Sequence, residues 1–475
     1  MNFETIKLEN YRNNNDQNFN PSIDYENKQS NEYDPFKERN IKNPTTNIDT
    51  LAHLLKAIIG TGILSLPCAF RSCGLGLGIL STIVISFMSS YCAHTLVQSA
   101  HILYYKTKKS QMSYADVAET ALSVGPTALK KFGKTARYVV DVGLFVSHFG
   151  TCTAYIVIVA KNIKDVLDYH QGGDHADVRV IIIILLLPLL FLTWIPDLKY
   201  LAPVSIIANI FMLTSLLTIF YWLTKDLITS DKIVRDGFNW IGIDETNDIS
   251  WYSKYSQTFS IIIFSVGSIG IVMPLENKMK SPKNFVGPLG VLSQGTILFT
   301  FIYMTIGILG YLYNPKATEP IITLEMPMNA DYWNSLMAQA VRILIALSVF
   351  CSFCLQFFIS LGVSWIWIKD RFSKNKIIAN YGLRISLVLS NVFLAIVFPD
   401  VLLLLNFVGG FGGSILGLFI PVLIETMTHW DDDSHWRILR HLKNLVIMFV
   451  AILAFYFATA DSIRDIKNKF IQGKE

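Results

Sequence analysis

The sequence predicts an all-α polytopic membrane protein of about eleven transmembrane helices. Two observations carry that fold class. Of 475 residues, 52% are hydrophobic and only 16% charged, where a soluble domain carries roughly 25% charged residues. The apolar residues also gather into runs long enough to cross a bilayer, which takes roughly 20 residues each. A third observation divides the chain internally: two of these runs are interrupted by glycine and proline at matching places.

In order, the expected spans lie near 51–71, 75–103, 138–160, 179–195, 201–223, 257–275, 288–313, 336–368, 383–398, 401–424 and 442–460, here numbered 1 to 11. The longest, 336–368, has to tilt or extend beyond the bilayer. Residues 1–49 are polar, Asn-rich and poor in aliphatics, the composition of a disordered tail. No cleavable signal is visible before span 1, which then serves as an uncleaved anchor. The resulting organisation is a tail (1–49), a first five-helix block (50–224), a loop (225–256), a second block (257–425), a loop (426–441), an eleventh helix (442–460) and a C-terminal tail (461–475). Between spans 2 and 3, residues 113–122 place apolar residues at helical spacing, the mark of a short amphipathic helix on the membrane surface.

Lys and Arg set the orientation. The connection after span 2 holds Lys106, Lys108, Lys109, Lys130, Lys131 and Lys134, and those after spans 6, 8 and 10 are also basic. Lys316 stands alone between spans 7 and 8, and the loop after span 5 offsets its cations with Asp226, Asp231, Asp236, Asp244 and Glu245. The N-terminus is therefore expected to be cytoplasmic. Arg464, Lys467 and Lys469 at the opposite C-terminal tail run against the rule.

Composition excludes several classes. No basic tract with interleaved aromatics points to nucleic acid. The six cysteines lie in or beside apolar runs, so neither a disulfide framework nor a metal knuckle is expected, and Cys351 and Cys354 read as packing residues. No zincin, paired-carboxylate or nucleophile-elbow motif suggests an enzyme, and no ring-forming filter suggests a channel. No catalytic residue, metal or bound cofactor is expected.

The interruptions carry the functional reading. Span 1 contains Gly60-Thr61-Gly62-Ile63-Leu64-Ser65-Leu66-Pro67 and span 6 contains Gly267-Ser268-Ile269-Gly270-Ile271-Val272-Met273-Pro274. Each opens with Gly and a small hydroxyl residue, and each has Pro seven residues after the first Gly. Glycine weakens a helix by roughly 1 kcal/mol relative to alanine, and proline removes a ladder donor. Backbone freed at mid-membrane must line a polar cavity or be buried in protein. Free N–H groups at a half-helix N-terminus suit an anion, and freed carbonyls suit a cation, so a zwitterion fits both. The competing reading is close helix packing by small residues. Matched breaks in two halves are the stronger pointer to a transporter site.

These residues bring a family into view. His53-Leu54-Leu55-Lys56 followed by Gly60-Thr61-Gly62-Ile63-Leu64 and Pro67 resembles the first helix of the amino acid/auxin permease family, in its proton-coupled amino acid transporter branch. Leu198 to Pro203 with Ser205, Ala208 and Asn209, Pro274-Leu275-Glu276-Asn277 with Met279 and Lys280, and Pro399, Gly409, Ser414, Leu416, Pro421 and Glu425 add to the likeness, which spans roughly residues 50–460. The resemblance implies the five-plus-five inverted repeat of the bacterial leucine transporter plus an eleventh helix, and symport of small amino acids with protons. His53 matches the helix 1 histidine that this branch uses in proton coupling; as a bare residue it also reads as an interfacial polar group. Two positions depart from the pattern. Ala57 and Ile58 stand where the branch has Gly-Asn or Gly-Ser, and Gly267-Ser268 where it has an acidic residue followed by Gly. Glu276 does not replace that carboxylate, since nine residues of helix put it about 13 Å away.

The expected substrate contacts are Gly60, Thr61, Gly62, Phe264, Ser265, Gly267, Ser268 and Tyr155, with His53 and His148 as proton-coupling candidates. His148 and Tyr155 are seven residues apart and share a helix face. His94 and Gln356 are weaker candidates, and Arg342 is expected to snorkel. The leading function is secondary active transport of a small or neutral amino acid by alternating access, driven by a proton gradient in one version. The alternatives are an amino acid sensor with little flux, which would involve signalling partners at the tail, and an uncoupled facilitator. Besides the amino acid, membrane lipid is the expected partner. Tyr33-Asp34-Pro35-Phe36 has the form of a tyrosine sorting signal, and plasma and endolysosomal membranes both remain open.

Overall fold

The structure, a computed structural model, describes residues 33–41, 43–173, 175–195, 198–229, 239–241, 251–267, 269–328, 331–372, 375–430 and 437–472. It is helical wherever a span is expected. Span 1 is two helices, Asn47–Ile58 and Leu66–Cys73, joined by a 3₁₀ turn over Thr61–Ser65 and bent by 44°. Span 2 is Leu75–Thr107, span 3 Gly133–Gln171, span 4 Val178–Thr193 and span 5 Leu198–Thr229. Span 6 is again two helices, Trp251–Val266 and Ile269–Lys278. Spans 7, 8 and 9 are Val291–Tyr313, Tyr332–Ile368 and Lys376–Val397; span 10 covers Val401–Thr428 and span 11 Arg437–Gln472. Among the described residues, nine helices are long and apolar enough to cross a membrane, or ten with the bent pair of span 1. Span 4 is apolar but has only 16 residues.

The bundle is apolar on its outer face, and its largely apolar core also buries polar side chains. On span 2, Leu80 is 56% and Phe87 73% exposed, whereas Ser81, Thr82 and Ser86 on the opposite face are buried. Lipid solvates the first set as well as protein would, so helix association falls to close packing and to hydrogen bonds between helices. Thr153 of span 3 donates to Asn391 of span 9 at 2.9 Å, and Arg384 donates to the Thr193 and Ile195 carbonyls at the end of span 4. Those carbonyls lack intrahelical partners, and the cation also suits the negative end of the helix dipole.

Several boundaries differ from expectation. Span 3 continues eleven residues past position 160 and span 11 runs to Gln472, through most of the segment expected as a C-terminal tail. At the other end, residues 33–41 and 43–46 pack against the bundle and Asn47 already starts a helix, so the part of 1–49 that is described is not a disordered tail. Polar composition gave no sign of this, because the contacts are made by a few residues such as Arg39 and Phe36. The amphipathic helix is Tyr114–Val124, capped by Ser113 and Asp116. It packs on spans 3 and 10 instead of lying free on the membrane surface, and the Tyr114 hydroxyl donates to the Leu416 carbonyl at 2.6 Å. Arg342 does not snorkel. It is 2% exposed, and its guanidinium binds Asp165 and the carbonyls of Leu324 and Met326.

Span 10 holds a feature absent from the sequence reading. Val408–Phe419 is a π-helix, wider than an α-helix. Its glycines take up the crowding: a Cβ on Gly409 would lie 2.0 Å from the Ser260 carbonyl oxygen of span 6. Gly409→Ala is expected to cost about 1–3 kcal/mol through overpacking, seen as a lower melting temperature in detergent. Gly382→Ala serves as the reference, since a Cβ there meets no heavy atom within 4 Å among the described residues. Equal melting temperatures for the two variants would contradict the close approach.

Candidate substrate site

The two breaks face each other. A Cβ on Gly62 would sit 2.6 Å from the Ser265 Cα, so span 1 touches span 6 backbone to backbone. The carbonyls freed by the two breaks share one donor. Tyr303 of span 7, fully buried, has its hydroxyl 2.7 Å from the Ile58 oxygen and 3.0 Å from the Ser265 oxygen, and donates to either. Tyr303 drew no attention in the sequence because a lone Tyr in an apolar run reads as packing; only the fold puts it beside both breaks.

Beside this junction lies a cavity of about 90 Å³ between spans 1, 2, 3, 6, 8 and 10. Gly60, Thr61, Gly62, Tyr155, Phe264, Ser265, Gly267 and His148 all line it. Ser268 lies outside the described residues. His53 does not reach it: it is exposed near the start of span 1. No Asp, Glu, Lys or Arg is among the described residues lining the cavity. The 3₁₀ turn Thr61–Ser65 has Gly60 as its N-cap and no side-chain cap, which leaves its first N–H groups without a side-chain partner among the described residues. The Thr61 hydroxyl is 2% exposed and has no hydrogen-bond partner among the described residues. Of the two span 6 carbonyls expected at the site, that of Ser265 is engaged by Tyr303.

Across the cavity, His148 Nδ1 lies 2.5 Å from Gln356 Oε1. The amide oxygen accepts, so Nδ1 carries a proton, and in the neutral ring Nε2 keeps its lone pair. Nε2 lies 3.3 Å from where a Cβ on Gly270 would stand, facing the second half of span 6. The Tyr155 hydroxyl lies beside the Thr61 and Gln356 side chains, so one polar row runs from span 1 to span 3. At Gly267 a Cβ would come 2.6 Å from the Ile263 carbonyl oxygen, so the acidic side chain seen in the resembling branch has no room here without a backbone shift.

Beyond the cavity, away from residues 33–46, a short loop turn at Ile322–Glu325 closes over the bundle. Arg71, at the end of span 1, has Nη2 2.7 Å from Glu325 Oε1 and donates to the Glu319 carbonyl at 2.8 Å. Burial pushes the Glu325 carboxyl up to about 7, against the pull of Arg71, with Glu319 adding to the rise.

The fold defines a class, the helical membrane bundles built on the five-plus-five inverted repeat. Two solved structures share the fold over nearly the whole chain. MhsT, crystallised in complex with L-phenylalanine, superposes with a TM-score of 0.51 at 11% identity over 87% of this chain and 98% of its own. The inward-facing conformation of Mhp1 gives 0.50 at 11% identity over 96% of both chains. The sequence profile described as "Transmembrane amino acid transporter protein" matches residues 43–464, and the chain belongs to that family. The Drosophila melanogaster protein called "Proton-coupled amino acid transporter-like protein pathetic" is 42% identical over 443 residues, 93% of this chain and 89% of its own length. The Caenorhabditis elegans "Probable amino acid transporter skat-1" is 22% identical over 92% of this chain and 93% of its own. The chain thus belongs to a family of membrane amino acid transporters, not of enzymes.

Two outcomes test this geometry. Tyr303→Phe leaves buried carbonyls without a donor, a cost of about 1–3 kcal/mol, and is expected to lower both thermal stability and amino acid uptake; wild-type behaviour in both would remove Tyr303 from the junction. For Glu325, the folded value lies above the ordinary 4.5, so the folded state holds this proton more tightly than the unfolded chain. That stabilisation is complete below 4.5 and is lost as pH rises through about 7. Between about pH 5.5 and about pH 8 the parent should lose more melting temperature than Glu325→Gln, and parallel losses would exclude the carboxyl as the source.

Proposed function

We propose that a neutral amino acid binds in the cavity between the two breaks. Its carboxylate meets the N–H groups of Thr61 and Gly62 and the Thr61 hydroxyl, and its ammonium meets the Phe264 carbonyl, with Gly60, Gly267 and Tyr155 forming the walls; Ser268, also expected at the site, lies outside the described residues. The single observation that carries the reading is the meeting of the breaks at one cavity without a charged lining residue. A zwitterion finds both partners there. A charged side chain would find no oppositely charged Asp, Glu, Lys or Arg among the described lining residues, and burying an unpaired charge costs several kcal/mol.

Transport is coupled to a proton held by His148 at Nε2. Its geometry suits the role, because the free nitrogen faces the second half of span 6 while the other is held by Gln356. The printed name of the fly relative supports a proton as the coupling ion. His53 matches the branch's first-helix histidine, but its exposure and distance from the cavity favour His148. The N-terminal face is cytoplasmic, as the Lys and Arg distribution indicates, and the outer apolar belt contacts lipid. Plasma membrane and endolysosomal membrane both suit such a carrier. A sensor with signalling partners at the tail finds no separate support.

Uptake of single amino acids into proteoliposomes at two pH values tests the reading. Neutral amino acids are expected to accumulate when the outside is acidic, and charged ones are not. His148→Gln should remove the pH dependence while His53→Gln keeps it. Accumulation of lysine or glutamate in preference to neutral amino acids would refute the site, and a pH response surviving in His148→Gln would refute the coupling residue.

A further inference from the structure

The motif Tyr33-Asp34-Pro35-Phe36, which the substrate site does not use, is not presented as an open peptide. It precedes span 1 and is folded as a turn on the N-terminal face. The Lys37 N–H donates to the Asp34 carbonyl at 3.1 Å, and the Phe36 N–H donates to Asp34 Oδ1 at 3.0 Å. Asp at the first position and Pro at the second are residues that such a turn favours. Pro35 is buried, Tyr33 and Phe36 are half-buried, and Lys37 and Glu38 are exposed. The Phe36 ring seats the turn. It meets the rings of His101, Tyr104 and Tyr105 on span 2 edge-on, with centres 5.0, 6.3 and 6.0 Å away. Two cations flank it, Arg39 Cζ at 5.2 Å and Lys283 Nζ at 5.4 Å from the ring centre. Edge-on ring contacts and cations over a ring both favour this placement.

A domain that reads a Tyr-x-x-apolar segment takes it as an extended strand. Backbone N–H and C=O groups pair with the edge of the domain's sheet, and side chains enter pockets. The docked turn offers neither feature. The Phe36 N–H and the Asp34 carbonyl are engaged within the turn, and the Phe36 ring is held against span 2. Once released, the same residues suit the extended form. Pro35 fixes its own φ at about −65°, within the polyproline II range, and disfavours the helical region at Asp34.

We propose that Tyr33-Asp34-Pro35-Phe36 is the binding segment for a cytosolic sorting domain of this kind, and that docking of Phe36 on span 2 keeps it hidden. Turn and extended strand exclude each other, so the fraction of molecules with Phe36 released sets how many the domain can take. The membrane in which the protein resides then follows from a local equilibrium on its N-terminal face. The proposal rests on that face being cytoplasmic.

The test titrates the medium subunit of a clathrin adaptor, a domain that binds Tyr-x-x-apolar peptides, against the full-length protein in detergent and against a synthetic peptide of the segment. The parent protein should bind about tenfold more weakly than the peptide, as when a tenth of the molecules are competent. Phe36→Leu keeps an apolar residue at the fourth position and removes the ring contacts. It should bring the protein close to the peptide's affinity and change the peptide's own affinity little. Adding Tyr33→Ala should abolish binding. Tyr105→Ala loosens the same ring from the span 2 side with the motif intact, and it decides if Phe36→Leu fails to fold. A parent protein that binds as tightly as the peptide overturns the masking. A peptide that does not bind, or a gain in Phe36→Leu that survives Tyr33→Ala, overturns the motif. Orientation is read separately. A membrane-impermeant maleimide on intact cells should spare Lys37→Cys, an exposed position. Labelling there refutes the cytoplasmic face and with it the sorting role, while the titration still reports on the masking.

Discussion

The Tyr303 hydroxyl, shared between the Ile58 and Ser265 carbonyls, answers the constraint on which the centre of the fold depends. Two helices that stop in mid-membrane expose backbone polar groups where no bulk water can satisfy them. The protein meets that demand with a buried donor from span 7 for the carbonyls and leaves the N–H groups of the Thr61 turn facing a cavity. The asymmetry has a functional consequence. Carbonyls that are already paired hold the break in shape without ligand, and unpaired N–H groups are what a ligand can complete.

Close backbone approach at the junction depends on residues without side chains. Gly62 lets span 1 meet Ser265, and Gly409 lets the wide turn of span 10 meet span 6 at Ser260. Both contacts fall on the first half of span 6, Trp251–Val266, which is thereby clamped between spans 1 and 10. The second half, Ile269–Lys278, is held instead by side chains: Glu276 to Arg39, His101 and Tyr104, and Asn277 to the Met112 carbonyl. Packed glycine contacts have no alternative partner. Polar side-chain contacts can exchange partners.

The helical spans, the broken pair and part of the cavity wall were legible in the sequence, because length, hydropathy and a Gly-to-Pro spacing are local signals. Gly60, Thr61, Gly62, Tyr155, His148 and Phe264 could be picked out as neighbours of a break or as polar groups in an apolar run. The rest needed three dimensions. Tyr303 and Arg39 lie far along the chain from the residues they serve. The π-helix at Val408–Phe419 shows in sequence only as a cluster of glycines, which small-residue packing explains equally well. Arg342 read as a snorkelling residue near a helix end, since nothing local announces that the carbonyls of Leu324 and Met326 and the carboxylate of Asp165 converge on it. His53 carries a family likeness, but position relative to the cavity is a property of the fold.

The lack of a carboxylate at Gly267 changes where charge can act in this carrier. The cavity itself has no charged lining side chain among the described residues, whereas buried Arg–carboxylate pairs close both ends of span 1. Backbone dipoles at the break are already oriented and cost no reorganisation, and no Asp, Glu, Lys or Arg among the described lining residues would pair with a charged side chain of a ligand. Charge is concentrated instead where spans 1 and 6 meet the two faces. The two environments are linked through span 1, whose break lines the cavity and whose two halves lead to Arg39 on one face and Arg71 on the other.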